Sequence, residues 1–535
     1  MQIDAEVANI IARWSLKEKV GQLFILAFPG KSAETIRPLI TEYNLGGCYL
    51  SQDNSDTFEE AQRLTRALTE IGAELGRLPL LLGVDQEGAW GVLVGESTTG
   101  PGNLALGVAE QGQNTERMYG VMAEEMRLAG FNCILGPCCD VNFNPRSPII
   151  DSRSFGDQPA RVALHSAAAV RGLHGGGICG SGKHFPGHGD TQGDSHREIP
   201  RVDKSLAELR EQDLLPFQAA IDAGVELIMT SHILYPQIDS ERPATLSPVI
   251  LQDLLRTEMG FEGIIISDSM NMGAIVHHYS PSTAAVLALK AGVNMIMLSE
   301  EHYDHSDGYL DKQLAMIHGV MAAVATGELD EALIDAALAR IVAFKLTRLV
   351  PMALYGGVDI PAHQRVAREC AGAALTWLRQ VPVLGNAPLY VLNATPAASY
   401  RNLTNPRGIG PNQREPAYDH FIAALNPVQQ GGREVGLDEL NCLGEGWLVL
   451  VTENHPLPGE DFEQQEAQAL VRRLSCEIDR LIVVALRSPY DLLGYPEVRY
   501  YLCSHSARPE SARAAAEVLL GRLETQQSRA VSLVS

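Results

Sequence analysis

The chain has 535 residues and a formal net charge of −23, from 42 basic and 65 acidic side chains. This charge argues against nucleic acid or an anionic membrane as the main partner, since both repel an acidic surface. Apolar residues make up 45% of the chain, which provides for a large core and excludes a disordered composition.

The cysteines and the N-terminus indicate the compartment. Nine cysteines are scattered without a Cys-x-x-Cys pair, and several sit inside apolar runs, as reduced core cysteines do. The segment from Met1 to Glu6 lacks the basic and apolar regions of a signal peptide, and no apolar run approaches transmembrane length. We therefore expect a cytoplasmic protein, monomeric or homodimeric, that contacts neither membrane nor nucleic acid.

Short apolar, β-prone runs alternate with longer helical patterns over residues 1–350. Eight such runs occur, at 21–28, 46–50, 78–85, 133–141, 178–184, 226–233, 263–269 and 294–299. Near-continuous apolar strands separated by helices indicate a parallel sheet covered on both faces. Eight β–α units that close on themselves predict a (β/α)8 barrel of the TIM type. An open doubly wound sheet is the alternative, but no Gly-x-Gly-x-x-Gly turn follows the first strand.

A second α/β pattern follows the barrel. The helical pattern near 330–349 stops at Pro351. Glycines, prolines and one helical stretch over 351–385 predict a linker with a bridging helix. Apolar runs at 389–392, 447–451 and 481–486 and a closing helix at 514–523 then predict a smaller α/β domain over 386–535.

Polar side chains end five of the predicted barrel strands. They are Asp85, Asp140, Lys183 with His184, Ser231 with His232, and Asp268. Any one of them alone is equally well explained as a helix N-cap or a turn residue. Because the carboxyl ends of barrel strands meet at one face, five together favour a shared site.

Residues 183–196 are the densest cluster of ionisable groups, with three His, two Asp, a Lys and three Gly. One interpretation is a zinc site formed by His184, His188, Asp190, Asp194 and His196, although the helical His-Glu-x-x-His spacing is absent. A second is a glycine-rich loop whose polar groups are structural. We also expect Gly187 to Gly193 to act as a hinge.

The third interpretation is a general acid/base. In Asp194-Ser195-His196 the carboxylate can orient one imidazole nitrogen and leave the other to exchange protons with a substrate. Asp268, a lone carboxylate at another strand end, adds a candidate nucleophile, with a helix N-cap as its rival explanation. A carboxylate nucleophile with a separate acid/base is the apparatus of glycoside hydrolysis with retention. A serine nucleophile is disfavoured because no Gly-x-Ser-x-Gly elbow occurs.

The segment Lys183-His184-Phe185-Pro186-Gly187-His188-Gly189, followed by Asp194-Ser195-His196, resembles the signature of glycoside hydrolase family 3. Within that family it is similar to the bacterial β-N-acetylhexosaminidase branch. The resemblance extends over nearly the whole chain, at residues 16–22, 84–88, 101–107, 153–156, 229–232, 243–247, 260–263, 267–270 and 488–492.

The resemblance implies a (β/α)8 barrel followed by an α/β sandwich, a carbohydrate substrate, and no metal or organic cofactor. It implies a retaining exo-β-glycosidase that releases terminal β-N-acetylglucosamine from cell-wall or chitin fragments through a covalent glycosyl-enzyme. Asp268 corresponds to the nucleophile and His196 to the acid/base, oriented by Asp194. The groups that hold the sugar hydroxyls correspond to Asp85, Arg153, Lys183 and His184.

One segment departs from the family pattern. After Asp-Gln-Glu-Gly the family usually continues with Gly-Arg, whereas this chain has Ala89-Trp90-Gly91-Val92-Leu93-Val94. Trp90 offers either a face on which a sugar stacks or a loop-packing residue. The alternatives are a phosphorylase or a β-glucosidase of the same fold, and a sugar-binding barrel without catalysis.

Overall fold

The computed structural model describes residues 2–89, 95–145, 147, 149–191, 193, 195, 198–299, 308–350, 357–403, 411–425, 432–442, 444–453, 455 and 465–525. Within these ranges, no helix combines the length and the apolar character needed to cross a membrane.

The first sheet is a closed parallel barrel. Its strands are β1 (Phe24–Leu26), β2 (Gly47–Leu50), β3 (Leu81–Val84), β4 (Cys133–Ile134), β5 (Cys179–Phe185), β6 (Leu227–Thr230), β7 (Ile264–Ile266) and β8 (Ile296–Leu298). Each strand pairs with the next, and β1 pairs with β8. A bridge between Ile266 and Met295 joins β7 to β8 and completes the circle. The predicted barrel and each of its eight predicted strands are therefore confirmed.

Helices surround the barrel. They are α1 (Gln2–Ile11), α2 (Leu16–Gly21), α3 (Arg37–Tyr43), α4 (Phe58–Glu74), α5 (Asn103–Val108), α6 (Gly112–Leu128), α7 (Pro159–Gly175), α8 (Leu206–Glu211), α9 (Leu214–Asp222), α10 (Gly273–Val276), α11 (Pro281–Ala291), α12 (Tyr309–Ala325) and α13 (Glu331–Phe344). Val249–Glu258 and Lys345–Leu349 are π-helical. Local sequence sets several helix starts: Ser15 and Ser205 each form a capping box with the glutamate three residues later.

The second sheet forms an α/β sandwich. Its strands are β9 (Thr376–Trp377), β10 (Leu389–Asn393), β11 (Arg433–Glu434), β12 (Trp447–Thr452), β13 (Leu481–Ala485) and β14 (Tyr500–Cys503), in the order β11-β10-β12-β13-β14-β9. Only β9 runs antiparallel. Helices α15 (Ala417–Leu425), α16 (Gln465–Glu477) and α17 (Pro509–Leu519) cover it. Along β12, Val449 and Val451 face one core, and Leu448 and Leu450 face the other.

Helix α14 (Ile360–Ala373) lies between barrel and sandwich. Its residues Ala367 and Cys370 belong to the core of the barrel, and α14 also packs against α17. The second sheet begins with β9, inside the segment predicted as linker. The two-residue strands β9 and β11 escaped prediction because they are too short for a period to show, and β14 carries mixed side chains.

The sandwich contacts the carboxyl-terminal face of the barrel. Leu104 and Val108 of α5 form a small apolar cluster with Tyr490 and Leu493. Arg487 pairs with Asp151 at 2.8 Å. Arg508 donates two hydrogen bonds to the carbonyl of Gly88, four residues beyond β3. The sandwich therefore borders the barrel mouth.

Gly107 allows α5 to approach the loop that carries Arg153. A Cβ at Gly107 would lie 1.8 Å from the Phe155 carbonyl oxygen, whereas a Cβ at Gly175, in α7, would meet nothing within 4 Å. We expect Gly107→Ala to lower the free energy of unfolding by about 2 kcal/mol or more, since backbone must move. Gly175→Ala, the matched control, should leave it unchanged or raise it slightly. Chemical denaturation of both variants measures this, and equal stabilities would contradict the close approach.

Lys345 is buried at the amino-terminal end of the barrel strands. Its ammonium donates to Gln22 Oε1 at 3.0 Å and to the Gly46 carbonyl at 2.7 Å. No carboxylate pairs with it among the described residues, and burial lowers the pKa of Lys345 to about 7.

This lowered pKa makes stability depend on pH. The unfolded chain keeps this lysine protonated up to a pKa of about 10.4. Between pH 7 and pH 10 the unfolded state therefore binds more protons, and stability rises with pH. Relative to Lys345→Met, the wild-type free energy of unfolding should rise by on the order of 1 kcal/mol per pH unit. Urea denaturation of both proteins at pH 7 and 9 measures this change in the free energy of unfolding. If the free energy of unfolding changed equally with pH in both proteins, the prediction would be wrong.

Candidate active site

The centre of the barrel mouth is a buried ion cluster. Asp85 and Glu87 follow β3, and Lys183 lies on β5. The ammonium of Lys183 lies 2.6 Å from Asp85 Oδ1 and 2.7 Å from Glu87 Oε1. Arg153 donates from Nε and Nη2 to the two oxygens of Glu87, at 2.9 Å each. Two cations and two carboxylates thus balance in charge.

Burial and charge oppose each other in this cluster. Burial alone would raise the pKa of Glu87, but the charges of Arg153 and Lys183 outweigh it and hold that pKa well below its usual range. Burial alone would lower the pKa of Lys183, but Asp85 and Glu87 raise it. Glu87 is therefore a carboxylate, and Lys183 an ammonium, near neutral pH. Asp85 keeps 27% of its side chain exposed and so presents carboxylate to the mouth.

Local contacts position Asp85 and Arg153. The Tyr49 hydroxyl donates to Asp85 Oδ2 at 2.9 Å. Arg153 ends a short 3-10 turn, Asp151–Arg153, and its carbonyl accepts the Asn103 amide at 2.7 Å. Tyr119 in turn donates to Asn103 at 2.8 Å. The first residue of α5 and the loop of Arg153 therefore form one supported unit.

Asp140 organises the neighbouring histidines. His184 Nδ1 lies 2.7 Å from Asp140 Oδ2, and the His188 backbone N–H donates to Asp140 Oδ1 at 2.6 Å. Arg153 Nη2 faces His184 Nε2 at 3.4 Å. An arginine can only donate, so His184 is protonated on Nδ1 and accepts at Nε2. The orientation of His184 is thereby fixed from both sides.

His188 is a buried neutral imidazole that holds Ser195. Burial lowers the pKa of His188 to about 4. Its Nδ1 meets the hydroxyl of Thr191 at 2.9 Å, and that hydroxyl donates to the His188 carbonyl. Nδ1 therefore carries the proton, and Nε2 accepts from the Ser195 hydroxyl at 3.1 Å.

The segment from Gly187 to Thr191 is tied down, unlike the free hinge that we expected. Tyr235 donates to the Gly187 carbonyl, and the Asn144 backbone N–H donates to the Gly189 carbonyl at 2.9 Å. A Cβ at Gly189 would lie 1.7 Å from the Val141 carbonyl oxygen, so only a glycine lets these two backbone segments lie this close together.

Asp268 and Ser195 belong to neighbouring segments. Asp268 lies two residues after β7 and accepts the Ser269 backbone N–H at 2.7 Å. The Ser269 carbonyl faces His232 Nε2 at 2.9 Å, which links it to β6. Ala274, at the start of α10, donates to the Ser195 carbonyl at 3.2 Å. The chain that carries Asp268 thus also anchors the loop of Ser195.

Of the predicted site residues, Asp85, Arg153, Lys183 and His184 form one network, and Asp268 lies on the same face of the barrel. Asp194 and His196 lie outside the described residues, as do Trp90 and residues 91–94. The proposed roles of Asp194, His196 and Asp268 remain predictions.

The sequence analysis did not include several residues of this network among its candidate site residues. Glu87, Tyr49 and Asp140 were not among the predicted site residues, yet each binds one of them directly. Glu87 lies two positions after Asp85, and this spacing in extended chain puts both side chains on one side. No comparable signal marks Tyr49, whose contact depends on the pairing of β2 with β3.

Two observations bear on the interpretation of residues 183–196 as a zinc site. Within the described residues, Cys138, Asp140 and His184 place ligand atoms within 4.8 Å of one another. These atoms are already joined by hydrogen bonds from the thiol and the imidazole to Asp140. Of the predicted zinc ligands, His188 is held by Thr191 and Ser195, and Asp190 lies 3.3 Å from Lys204. The polar groups thus satisfy one another.

Lys183 should be decisive for the stability of the cluster. We expect Lys183→Met to lower the free energy of unfolding by about 3–5 kcal/mol, because it leaves Asp85 and Glu87 without their shared cation. The control Lys17→Met breaks an exposed pair with Glu42 and should cost about 0–1 kcal/mol. Adding Glu87→Gln to Lys183→Met should recover part of the loss. Chemical denaturation at pH 7 measures the free energy of unfolding of each variant. Equal losses in Lys183→Met and Lys17→Met would refute the prediction.

The comparisons with known proteins concern most of the chain. A family model described as "Glycosyl hydrolase family 3 N terminal domain" matches residues 15–344. A β-hexosaminidase A from Pseudoalteromonas piscicida is 31% identical over 370 residues, covering 65% of this chain and 61% of that protein. This chain therefore spans less than two thirds of that relative. A β-N-acetylglucosaminidase/β-glucosidase from Cellulomonas fimi is 26% identical over 94% of this chain and 91% of its own length.

Solved structures agree over nearly the full length. A glycoside hydrolase family 3 β-N-acetylglucosaminidase from Paenibacillus sp. str. FPU-7 superposes with a TM-score of 0.83 and 29% identity, covering 97% of this chain and 98% of that one. A β-glucoside phosphorylase, BglX, superposes with a TM-score of 0.84 at 19% identity, covering 99% of this chain and 96% of that one. The second likeness concerns the fold alone.

Proposed function

Because the chain belongs to glycosyl hydrolase family 3, we propose that it hydrolyses terminal β-N-acetylglucosaminides with retention of configuration. The observation that carries the proposal is the charge-balanced cluster of Asp85, Glu87, Lys183 and Arg153 at a barrel mouth whose loops also hold Asp268 and Ser195. The names of the relatives, β-hexosaminidase and β-N-acetylglucosaminidase, support the choice of sugar.

The ion cluster suits a polyol. A sugar hydroxyl both donates and accepts, so it needs acceptors and donors side by side when it leaves water. Asp85 offers carboxylate oxygen at the mouth, while Lys183 and Arg153 offer N–H groups that their own partners already orient. Since the charges cancel within the cluster, a neutral sugar binds without leaving a buried ion unpaired.

In the first step, Asp268 attacks the anomeric carbon while the glycosidic C–O bond breaks. His196 donates its proton to the leaving oxygen, and a glycosyl ester on Asp268 remains. The hydrogen bond from the Ser269 backbone N–H orients the carboxyl group of Asp268 for this attack. The hydrogen bond from Ala274 to Ser195 supports this assignment, because it brings Ser195, the residue between Asp194 and His196 in the sequence, to the segment of Asp268.

In the second step, His196 takes a proton from a water molecule as the water oxygen attacks the anomeric carbon. The ester bond to Asp268 breaks, and the free sugar and the Asp268 carboxylate are released. Asp194 orients the imidazole and stabilises its protonated form. His188 acts as a positioning residue: it holds Ser195, which lies between the two members of the dyad.

Replacement of the nucleophile tests the mechanism. We expect Asp268→Asn to lower kcat for an aryl β-N-acetylglucosaminide by at least about 10³-fold, because an amide cannot form the glycosyl ester. The matched control Asp222→Asn changes an exposed aspartate of α9 and should leave kcat unchanged. Anomer analysis by NMR should show β product first. Full activity of Asp268→Asn, or α product first, would overturn the proposal.

The sugar is tested with aryl β-glycosides that differ only at C2. A higher kcat/KM for the N-acetylglucosaminide than for the glucoside supports the proposal. The opposite order would assign the protein as a β-glucosidase, with the same nucleophile.

A further inference from the structure

Asp151 opens the turn that carries Arg153, and its backbone adopts a conformation that most side chains avoid. The short 3-10 turn Asp151–Arg153 begins with a φ of 35° at Asp151. A positive φ brings the Cβ of a non-glycine residue close to the backbone and persists only where surrounding contacts hold it. The turn is tight, because the Arg153 backbone N–H donates to the Ile150 carbonyl at 2.8 Å. A change of φ at Asp151 would therefore move Arg153.

Contacts from the sandwich hold Asp151. Arg487 Nη2 lies 2.8 Å from Asp151 Oδ2, and the same nitrogen donates to the Ser152 hydroxyl at 3.1 Å. The Ser488 hydroxyl donates to Asp151 Oδ1 at 3.4 Å. Both carboxylate oxygens of Asp151 are thus bound by the second domain. Because Asp151 and Arg487 are buried, solvent and salt screen this ion pair only weakly.

The sheet of the sandwich fixes the position of Arg487. Strand β13 lies between β12 and β14, and Arg487 follows it by two residues. On one side of Arg487, the Leu486 backbone N–H donates to the Thr452 carbonyl at 2.8 Å. On the other side, the Tyr501 hydroxyl of β14 donates to the Ser488 carbonyl at 3.1 Å. The guanidinium of Arg487 therefore extends from a rigid strand end.

The far end of the turn reaches the ion cluster of the barrel mouth. The guanidinium of Arg153 donates to both oxygens of Glu87, and its Nη1 donates to the Ile149 carbonyl at 3.2 Å. Two parallel hydrogen bonds require a defined orientation of the guanidinium plane. A displacement on the order of 1 Å is enough to weaken such a site. The geometry of the turn therefore controls how Arg153 meets Glu87 and a sugar hydroxyl.

The two domains are also joined without this ion pair. An apolar cluster already connects α5 to the sandwich, and its members are Leu104, Val108, Tyr490 and Leu493. Arg487 instead acts on the one residue of the turn that has a positive φ. Its placement thus matches a task at the turn better than the general fastening of the domains.

We propose that the sandwich completes the sugar site of the barrel: Arg487 is a positioning residue that holds Asp151 at its positive φ and thereby aims Arg153 at Glu87 and at the sugar hydroxyls. This inference rests on the proposed function, in which Arg153 binds the terminal sugar. The affinity of the barrel for its substrate then depends on a residue of the second domain.

Arg487→Gln tests this role by separating KM from kcat. We expect KM for an aryl β-N-acetylglucosaminide to rise about 10-fold and kcat to stay within about 2-fold of wild type, because sugar binding weakens while Asp268 is untouched. Arg487→Lys should lie in between, since an ammonium can pair with Asp151 but lacks the guanidinium fork. The matched control Arg117→Gln breaks an exposed pair with Glu369 of α14 and should change neither constant.

A residue that only fastened the domains would give a different result. Arg487→Gln would then reduce the fraction of folded protein, so that the apparent kcat would fall while KM stayed constant. That outcome would overturn the positioning role.

Two double variants isolate the backbone of Asp151. Glycine adopts a positive φ readily and alanine does not. Both substitutions remove the carboxylate that Arg487→Gln leaves unpaired. We expect Asp151→Gly, added to Arg487→Gln, to bring KM back toward the wild-type value, and Asp151→Ala to leave it high. Equal KM values in the two double variants would contradict a role for this φ.

Hydrogen exchange measures the turn without any substrate. In Arg487→Gln the backbone amides of residues 149–156 should exchange at least about 10-fold faster than in wild type, whereas those of β4 should keep their rates. Unchanged exchange at 149–156, or equal acceleration in β4, would refute the proposal. If wild type turns over no glycoside, the proposed function fails, while faster exchange confined to 149–156 would still show that Arg487 holds the turn.

Discussion

Lys183 is an ammonium group buried between the carboxylates of Asp85 and Glu87, and the barrel mouth is arranged around it. Removing a charge from water is costly unless its partners are close and fully bonded. The closed sheet meets this requirement because β3 and β5 flank β4 and end on the same face. The carboxylates follow β3, the lysine lies on β5, and Asp140, from the loop after β4, orients the next residue, His184.

Support for this cluster comes from segments far apart in the chain. Gly107 brings α5 against the Phe155 carbonyl, and Asn103 holds the carbonyl of Arg153. The Ser195 loop is fastened on one side to His188 and on the other to Ala274. The sandwich borders the same mouth through Arg508 and the carbonyl of Gly88. The ion cluster, the Ser195 segment and the border with the sandwich therefore share one scaffold.

Prediction from sequence succeeded where the signal is local. Buried parallel strands are apolar on both faces, so the eight barrel strands and β10, β12 and β13 stand out as continuous runs. Polar residues at strand ends, such as Asp85 and Asp268, are equally visible. The contacts of Tyr49 and Arg508 give no such signal, because their partners lie 36 and 420 residues away. The short strands β9 and β11 are defined only by their neighbours.

The sequence by itself determined the alternation of strands and helices, the positions of the ionisable groups and the glycines between them, since these depend on side-chain type and short spacing. Only the tertiary structure decided which charges neutralise one another. It paired Lys183 with two carboxylates from another strand and left Arg508 unpaired among the described residues. The physical reason is that the cost of a buried charge depends on distances to groups remote in sequence, which folding alone sets.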